Sequence, residues 1–231
     1  IDPERLGVYV GSGIGGMQTF TAETEKLLTK GPARISPHFI TSMIANMATG
    51  LIAIRFKAQG PSLPIVTACA TSTNTVGEAF HAIAAGYADA IIAGGAEAAI
   101  TPLAVAGFTN CMALSKNPDP TTACVPFDRR RDGFIMGEGG GILVLEEYEH
   151  AKARGAEMLA EICGYGNTND AFHVTAPDDE AKGGARAIRL ALSEAGIKSE
   201  DSLYINAHGT STPLNDRTET LAIKKALGEE A

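Results

Sequence analysis

From Ala82 to Phe108 the chain runs almost without charge; only Asp89 and Glu97 interrupt it. An apolar stretch of that length reaches a membrane span on hydropathy alone. Gly86, Gly94, Gly95, Gly107 and Pro102 punctuate it, however, and the two acids lie inside it. A run broken in this way predicts a buried strand, "ADAIIAGG" (88–95), flanked by helices rather than one long helix. A strand buried on both faces needs helices on both sides, which places the chain in the α/β class.

The flanking sequence repeats the alternation. "RLGVYVG" (5–11), "LPIVTA" (63–68), "GGILVLEEY" (140–148), "MLAEICGYG" (158–166) and "SLYINAHG" (202–209) predict strands. Residues 17–30, 38–56, 70–86, 149–155, 182–196 and 214–227 predict helices, two of them closed by Gly86 and Gly196. The expectation is a mostly parallel sheet with helices on both faces, and no linker-like run divides it. The stretch "SKNPDPTTACVPFDRRRD" (115–132) reads as a long irregular loop, a class often given to function.

Composition excludes several roles. The 231 residues are enough for a real core. Net charge is 19 − 27 = −8, which argues against nucleic acid as a partner. No basic start followed by an apolar stretch marks "IDPERLGVYV" as a secretory signal. Cys69, Cys111, Cys124 and Cys163 are 42, 13 and 39 residues apart, with no zinc-like spacing, and point to a reducing, cytoplasmic compartment. No metal site is expected.

Two residues carry chemistry by their setting. Cys69 in "VTACATSTN" follows a predicted strand and precedes a helix that begins with Ala70, Thr71, Ser72 and Thr73. Unpaired N–H groups and the positive dipole end of a helix lower a thiol's pKa, so this position suits a nucleophile. It equally suits a small buried side chain. His208 in "NAHGTSTPLND" also follows a predicted strand, and ligands of parallel α/β sheets collect at strand carboxyl ends. A structural histidine is the alternative.

Taken in order, "GSGIGG", "GPARISPHFI", "GPSLPIVTACATSTN", "DAIIAGGAEAAITPLAVAGF", "PFDRRRDGFIMGEGGGILVLEEYEHAKARGA" and "NAHGTSTPLND" resemble the β-ketoacyl-acyl carrier protein synthases, type II most closely. The resemblance spans essentially the whole chain. It implies the thiolase-like fold, an αβαβα layered sandwich, and a homodimer. It implies a decarboxylative Claisen condensation: an acyl group held as a thioester on Cys69 is extended by two carbons from malonyl-acyl carrier protein. Cys69 matches the acyl-accepting nucleophile, and His208 the first of two histidines that stabilise the enolate. Substrate-binding positions are implied at Ile14 (the floor of the acyl pocket), Phe134 (its wall), Thr175, Thr210 and Thr212. The last two match hydroxyls that bond the phosphopantetheine arm. Asp216 and Glu219 match acids that brace the site. No resident cofactor is implied, since phosphopantetheine arrives on the acyl carrier protein. Read locally, Ile14 and Phe134 suit a core, the threonines suit turn caps, and the acids suit a solvated helix face.

The family's downstream lysine, second histidine and glycine- and phenylalanine-rich loop do not occur in these residues, nor does its N-terminal portion. The expectation is therefore an interior piece: residues 1–231 as one synthase core, the end of the N-terminal half plus the start of the C-terminal half, incomplete at both ends and inactive alone. Three rivals remain. "GSGIGG" satisfies the dinucleotide fingerprint, but "LLTKGPARISP" supplies neither the second strand nor the acid that nicotinamide binding needs. A polyketide-type or thiolase-like condensing enzyme shares the Cys–His logic. A silent chain-length factor typically lacks the cysteine that stands here at position 69.

Overall fold

The computed structural model describes residues 1–198, 201 and 203–229. The chain divides into two compact units, one formed by Ile1–Val105 and Gly137–Glu161, the other by residues 106–136 and 162–231.

The first unit is built on a three-stranded sheet in the order β1 (Leu6–Gly11), β2 (Ala90–Glu97), β3 (Gly139–Glu146). β1 and β2 run parallel with Leu6 opposite Ala90 and Gly11 opposite Gly95. β3 is antiparallel to β2, so the sheet is mixed rather than mostly parallel. The uncharged run explains the centre: Ala90, Ile91 and Ala93 of β2 are fully buried between neighbours on both sides. Alternation sets the two faces. Tyr9, Ile91, Ala93 and Leu145 pack with Ala79 and Ala82 of α4 (Thr71–Ala84), while Val8 and Val10 are buried as well. Burial raises the Tyr9 hydroxyl's pKa. The run's two acids are both accounted for. Asp89 accepts two hydrogen bonds from the Arg5 guanidinium, at 3.0 and 2.7 Å, and its pKa falls chiefly because of them. Glu97 belongs to the site described below.

Helix α1 (Met17–Lys30) ends at Gly31 with φ of 80°. The single helix expected over 38–56 is two, α2 (Phe39–Met43) and α3 (Met47–Phe56). The Met43 carbonyl is taken by the Gly16 N–H at 2.8 Å, a tertiary bond that overrides local helix propensity. α3 is tied to the sheet by the buried Thr49 hydroxyl, which donates to the Val10 carbonyl at 2.7 Å. The strand expected at 63–68 does not form; just before it, an isolated bridge joins Val8 to Ser62. Pro61 and Pro64 lack N–H donors for a ladder, and Ala68–Ala70 coil into a 3-10 turn. After β3 comes α6 (Tyr148–Ala153); here Glu146 accepts from Arg154 and His150.

The second unit pairs α7 (Lys182–Ala195) with α8 (Pro213–Leu227) through Ala181, Ala185, Leu221 and Ala222. Residues 158–166 and 202–209 are expected as strands, but no ladder partner for either exists among the described residues, and Ser202 lies outside them. Gly164 and Gly166 instead lie on the backbone of α7, where added Cβ atoms would sit 2.2 Å from Ala191 O and 1.9 Å from Ala187 O. α5 (Pro102–Asn110) begins in the first block of the first unit, which ends at Val105, and is followed by the irregular 115–132 segment.

Candidate active site

Cys69 stands in the Ala68–Ala70 turn directly before α4, and it is exposed. Ala68 has φ of 51°, a left-handed conformation that costs a residue with a Cβ and that clusters at functional sites. Side chains of α4 hold the turn in place. The Thr67 N–H donates to Thr71 Oγ1 at 2.9 Å, and Asn74 Nδ2 donates to Thr67 Oγ1 at 3.0 Å. Buried Thr75 donates to the Gly94 carbonyl at 2.8 Å, anchoring the helix start to β2. The helix can approach the strand ends this closely because they are glycine. A Cβ on Gly11 would meet Ile65 O and Thr71 Cγ2, each at 2.3 Å, and one on Gly95 would meet Ser72 Oγ at 2.3 Å. Cys69 therefore sits at the amino end of α4, where the positive end of the helix dipole favours an anion.

Ile14 lies on the loop that follows β1 in the same unit and is 40% exposed, so it is not core. The loop's glycine-rich character serves close approach: a Cβ on Gly13 would stand 3.2 Å from the Ala68 carbonyl, next to Cys69. The dinucleotide-like pattern "GSGIGG" is thereby explained by packing.

In the second unit, His208 is exposed and sits on a turn whose backbone is held by Glu219. Its carboxylate accepts from the His208 N–H at 2.6 Å, from the Gly209 N–H at 2.8 Å and from Asn215 Nδ2 at 3.2 Å. Asp216 is 1% exposed and accepts from the Phe127 N–H at 2.7 Å, with Arg131 Nε 3.5 Å away. Neither acid is a solvated helix charge. Thr212 caps α8 by accepting from the Asn215 N–H, and its hydroxyl lies 2.9 Å from that of Thr210. One of these two hydroxyl protons is spent between them, which leaves the other to point elsewhere. Phe134 meets Phe108 edge-on with ring centres 5.5 Å apart. Thr175 is exposed on a turn, and its N–H donates to His173 Nδ1.

Two contributors escaped sequence reasoning. Ser211, fully buried, accepts from the Val125 N–H through its hydroxyl and from the Gly133 N–H through its carbonyl, binding the 115–132 segment to the His208 turn. Glu97 binds the Ile14 loop; its signal was an acid at the end of an otherwise uncharged strand. Among the described residues no cluster of three His, Cys, Asp or Glu could hold a metal, and no helix is long and apolar enough to cross a membrane.

Residues 1–151 match the family Beta-ketoacyl synthase, N-terminal domain, and residues 159–231 match Beta-ketoacyl synthase, C-terminal domain. The chain belongs to the β-ketoacyl synthase family. It is 55% identical to 3-oxoacyl-acyl-carrier-protein synthase 2 of Staphylococcus aureus over 228 residues, covering 99% of this chain and 57% of that protein. It is 54% identical to the Synechocystis protein of the same name, covering all of this chain and 56% of its relative. Among solved structures, a ketosynthase complex of a type II polyketide acyl-carrier protein, bound to the hexaketide, matches with a TM-score of 0.90 at 37% identity, over 99% of this chain and 58% of that one. The chain thus spans a little over half the length of the relatives it matches. The β-ketoacyl synthase fold is thiolase-like, built of mixed α/β elements.

Proposed function

We propose that the protein containing this chain is a β-ketoacyl-acyl carrier protein synthase of type II that elongates fatty acyl chains by two carbons. The observation that carries this reading is the placement of Cys69: exposed, on a strained turn, at the amino end of α4. The thiolate attacks the acyl thioester on acyl carrier protein and expels the phosphopantetheine thiolate. Malonyl-acyl carrier protein then loses carbon dioxide, and the electron pair left behind forms an enolate. That enolate attacks the Cys69 thioester carbonyl, the new carbon–carbon bond forms, and the Cys69 thiolate leaves. His208 stabilises the enolate oxygen, and a hydroxyl of Thr210 or Thr212 orients the phosphopantetheine arm. Ile14, Phe134 and Thr175 contact the acyl substrate, while Asp216 and Glu219 brace the turn. Residues 1–231 act as one synthase core within a longer chain. No further cofactor is needed, and the enzyme works as a cytoplasmic homodimer. Fatty acid elongation is favoured over the polyketide reaction because identity is 55% to the fatty acid enzyme against 37% to the polyketide ketosynthase complex.

The test uses the full-length protein with acyl- and malonyl-acyl carrier protein. Mass spectrometry is expected to find an acyl group on Cys69 and a product longer by two carbons, both abolished by Cys69→Ala. Acylation spread over all four cysteines, or unaffected by the substitution, overturns the reading.

A further inference from the structure

We infer that Glu97 is a positioning residue that sets which acyl chains the enzyme accepts, by fixing the Ser12–Gly15 loop against the turn that carries Cys69. The inference rests on the acyl-enzyme reading proposed above and concerns residues of the first unit alone.

The geometry is specific. One Glu97 oxygen accepts from the Ser12 hydroxyl at 2.9 Å, and the other accepts from the Ile14 N–H at 2.9 Å. Ser12 Oγ in turn accepts from the Gly15 N–H at 2.9 Å, so one carboxylate determines the path of four consecutive residues. From the other side, the Gly16 N–H donates to the Met43 carbonyl at 2.8 Å. Gly13, in the middle, is squeezed between Glu97 Oε2 and the Ala68 carbonyl; an added Cβ would lie 3.0 and 3.2 Å from them. The loop therefore cannot shift without moving relative to the residue before Cys69.

The purpose of the clamp follows from what it presents. Ile14 is a branched apolar side chain, 40% exposed, on a loop in contact with the Cys69 turn, and its backbone N–H is the atom Glu97 holds. An acyl group on Cys69 is an apolar chain seeking apolar surface beside that turn. The Ile14 backbone is fixed while its side chain remains uncovered, so the loop's position decides how much chain fits. A carboxylate is required because both its partners are donors. An amide in its place satisfies one of them and turns an N–H toward the other.

The test measures kcat/KM of the full-length enzyme for a short and a long saturated acyl-acyl carrier protein in wild type, Glu97→Gln, Glu97→Ala and Ser12→Ala. The long-to-short ratio is expected to change by about fivefold or more in Glu97→Gln, in the same direction in Ser12→Ala, and with non-additive effects when the two are combined. Glu97→Asp, which keeps two acceptors, is expected to recover part of the wild-type ratio. A ratio equal to wild type in both Glu97→Gln and Ser12→Ala overturns the inference, whether or not overall activity or melting temperature falls, because a merely structural acid lowers every substrate alike. Should Glu97→Ala fail to fold, the isosteric Glu97→Gln decides. A wild-type enzyme that never acylates Cys69 refutes the parent reading and this inference with it; normal wild-type acylation with unchanged ratios refutes this inference alone.

Discussion

Replacing Glu219 tests how the His208 turn is held. Its carboxylate accepts three hydrogen bonds, two of them from consecutive backbone N–H groups at 2.6 and 2.8 Å. A hydrogen bond to a charged acceptor contributes about 1.5–3 kcal/mol when a partner is removed. Glu219 is only half-buried, so water takes over part of the debt, and Glu219→Ala is expected to cost about 2–3 kcal/mol. The loss falls on a single turn, so the sensitive assay is amide hydrogen exchange of His208 and Gly209 in the full-length protein. Two kcal/mol corresponds to exchange about 30-fold faster at those amides. Glu219→Gln retains one acceptor and turns a donor toward the second N–H, so one amide is expected to stay protected and the other to exchange faster. Condensation is expected to fall in both variants. Unchanged exchange at both amides in Glu219→Ala would refute the bracing role, since the Glu219 carboxylate accepts from both N–H groups.

Three further outcomes follow from packing and charge. Gly11→Ala places a methyl 2.3 Å from backbone and side chain atoms of the Cys69 segment and is expected to lower stability by about 3 kcal/mol in urea denaturation; Gly50→Ala, inside α3 with no heavy atom within 4 Å of the added Cβ, is expected to be neutral or to stabilise by up to about 1 kcal/mol. Glu146 has its pKa lowered from 4.5 to about 2, first by the Arg154 hydrogen bonds and also by His150, against the opposing effect of burial. Because the folded pKa is the lower one, this pairing stabilises fully above the unfolded value of 4.5 and is lost as pH falls from there toward 2. Arg154 is half exposed, and solvent screening reduces the contribution to about 1–2 kcal/mol. The stability difference between wild type and Glu146→Gln, measured by urea midpoints at pH 7 and at pH 3, is expected to shrink at the lower pH; a constant difference rules the pairing out as the cause.

Local chemistry made much of this protein legible from its residues. The uncharged run with two acids located β2, the apolar and polar periods located α1, α4, α7 and α8 within one or two residues, and Cys69 before the small residues of α4 marked a helix start. Those features depend on side chains near one another in the chain, which a linear pattern records. The strands expected at 63–68, 158–166 and 202–209 have no ladder among the described residues, because a strand exists only through the partner that accepts its hydrogen bonds, and Pro61, Pro64 and the glycines lying on α7 belong to other arrangements. The same holds for the direction of β3, for the break between α2 and α3 at the Met43 carbonyl, and for what Glu97, Ser211 and Glu219 do. Each depends on an N–H or hydroxyl brought from a distant segment; residue identity states that an acceptor is available, and only the folded backbone decides which donor reaches it.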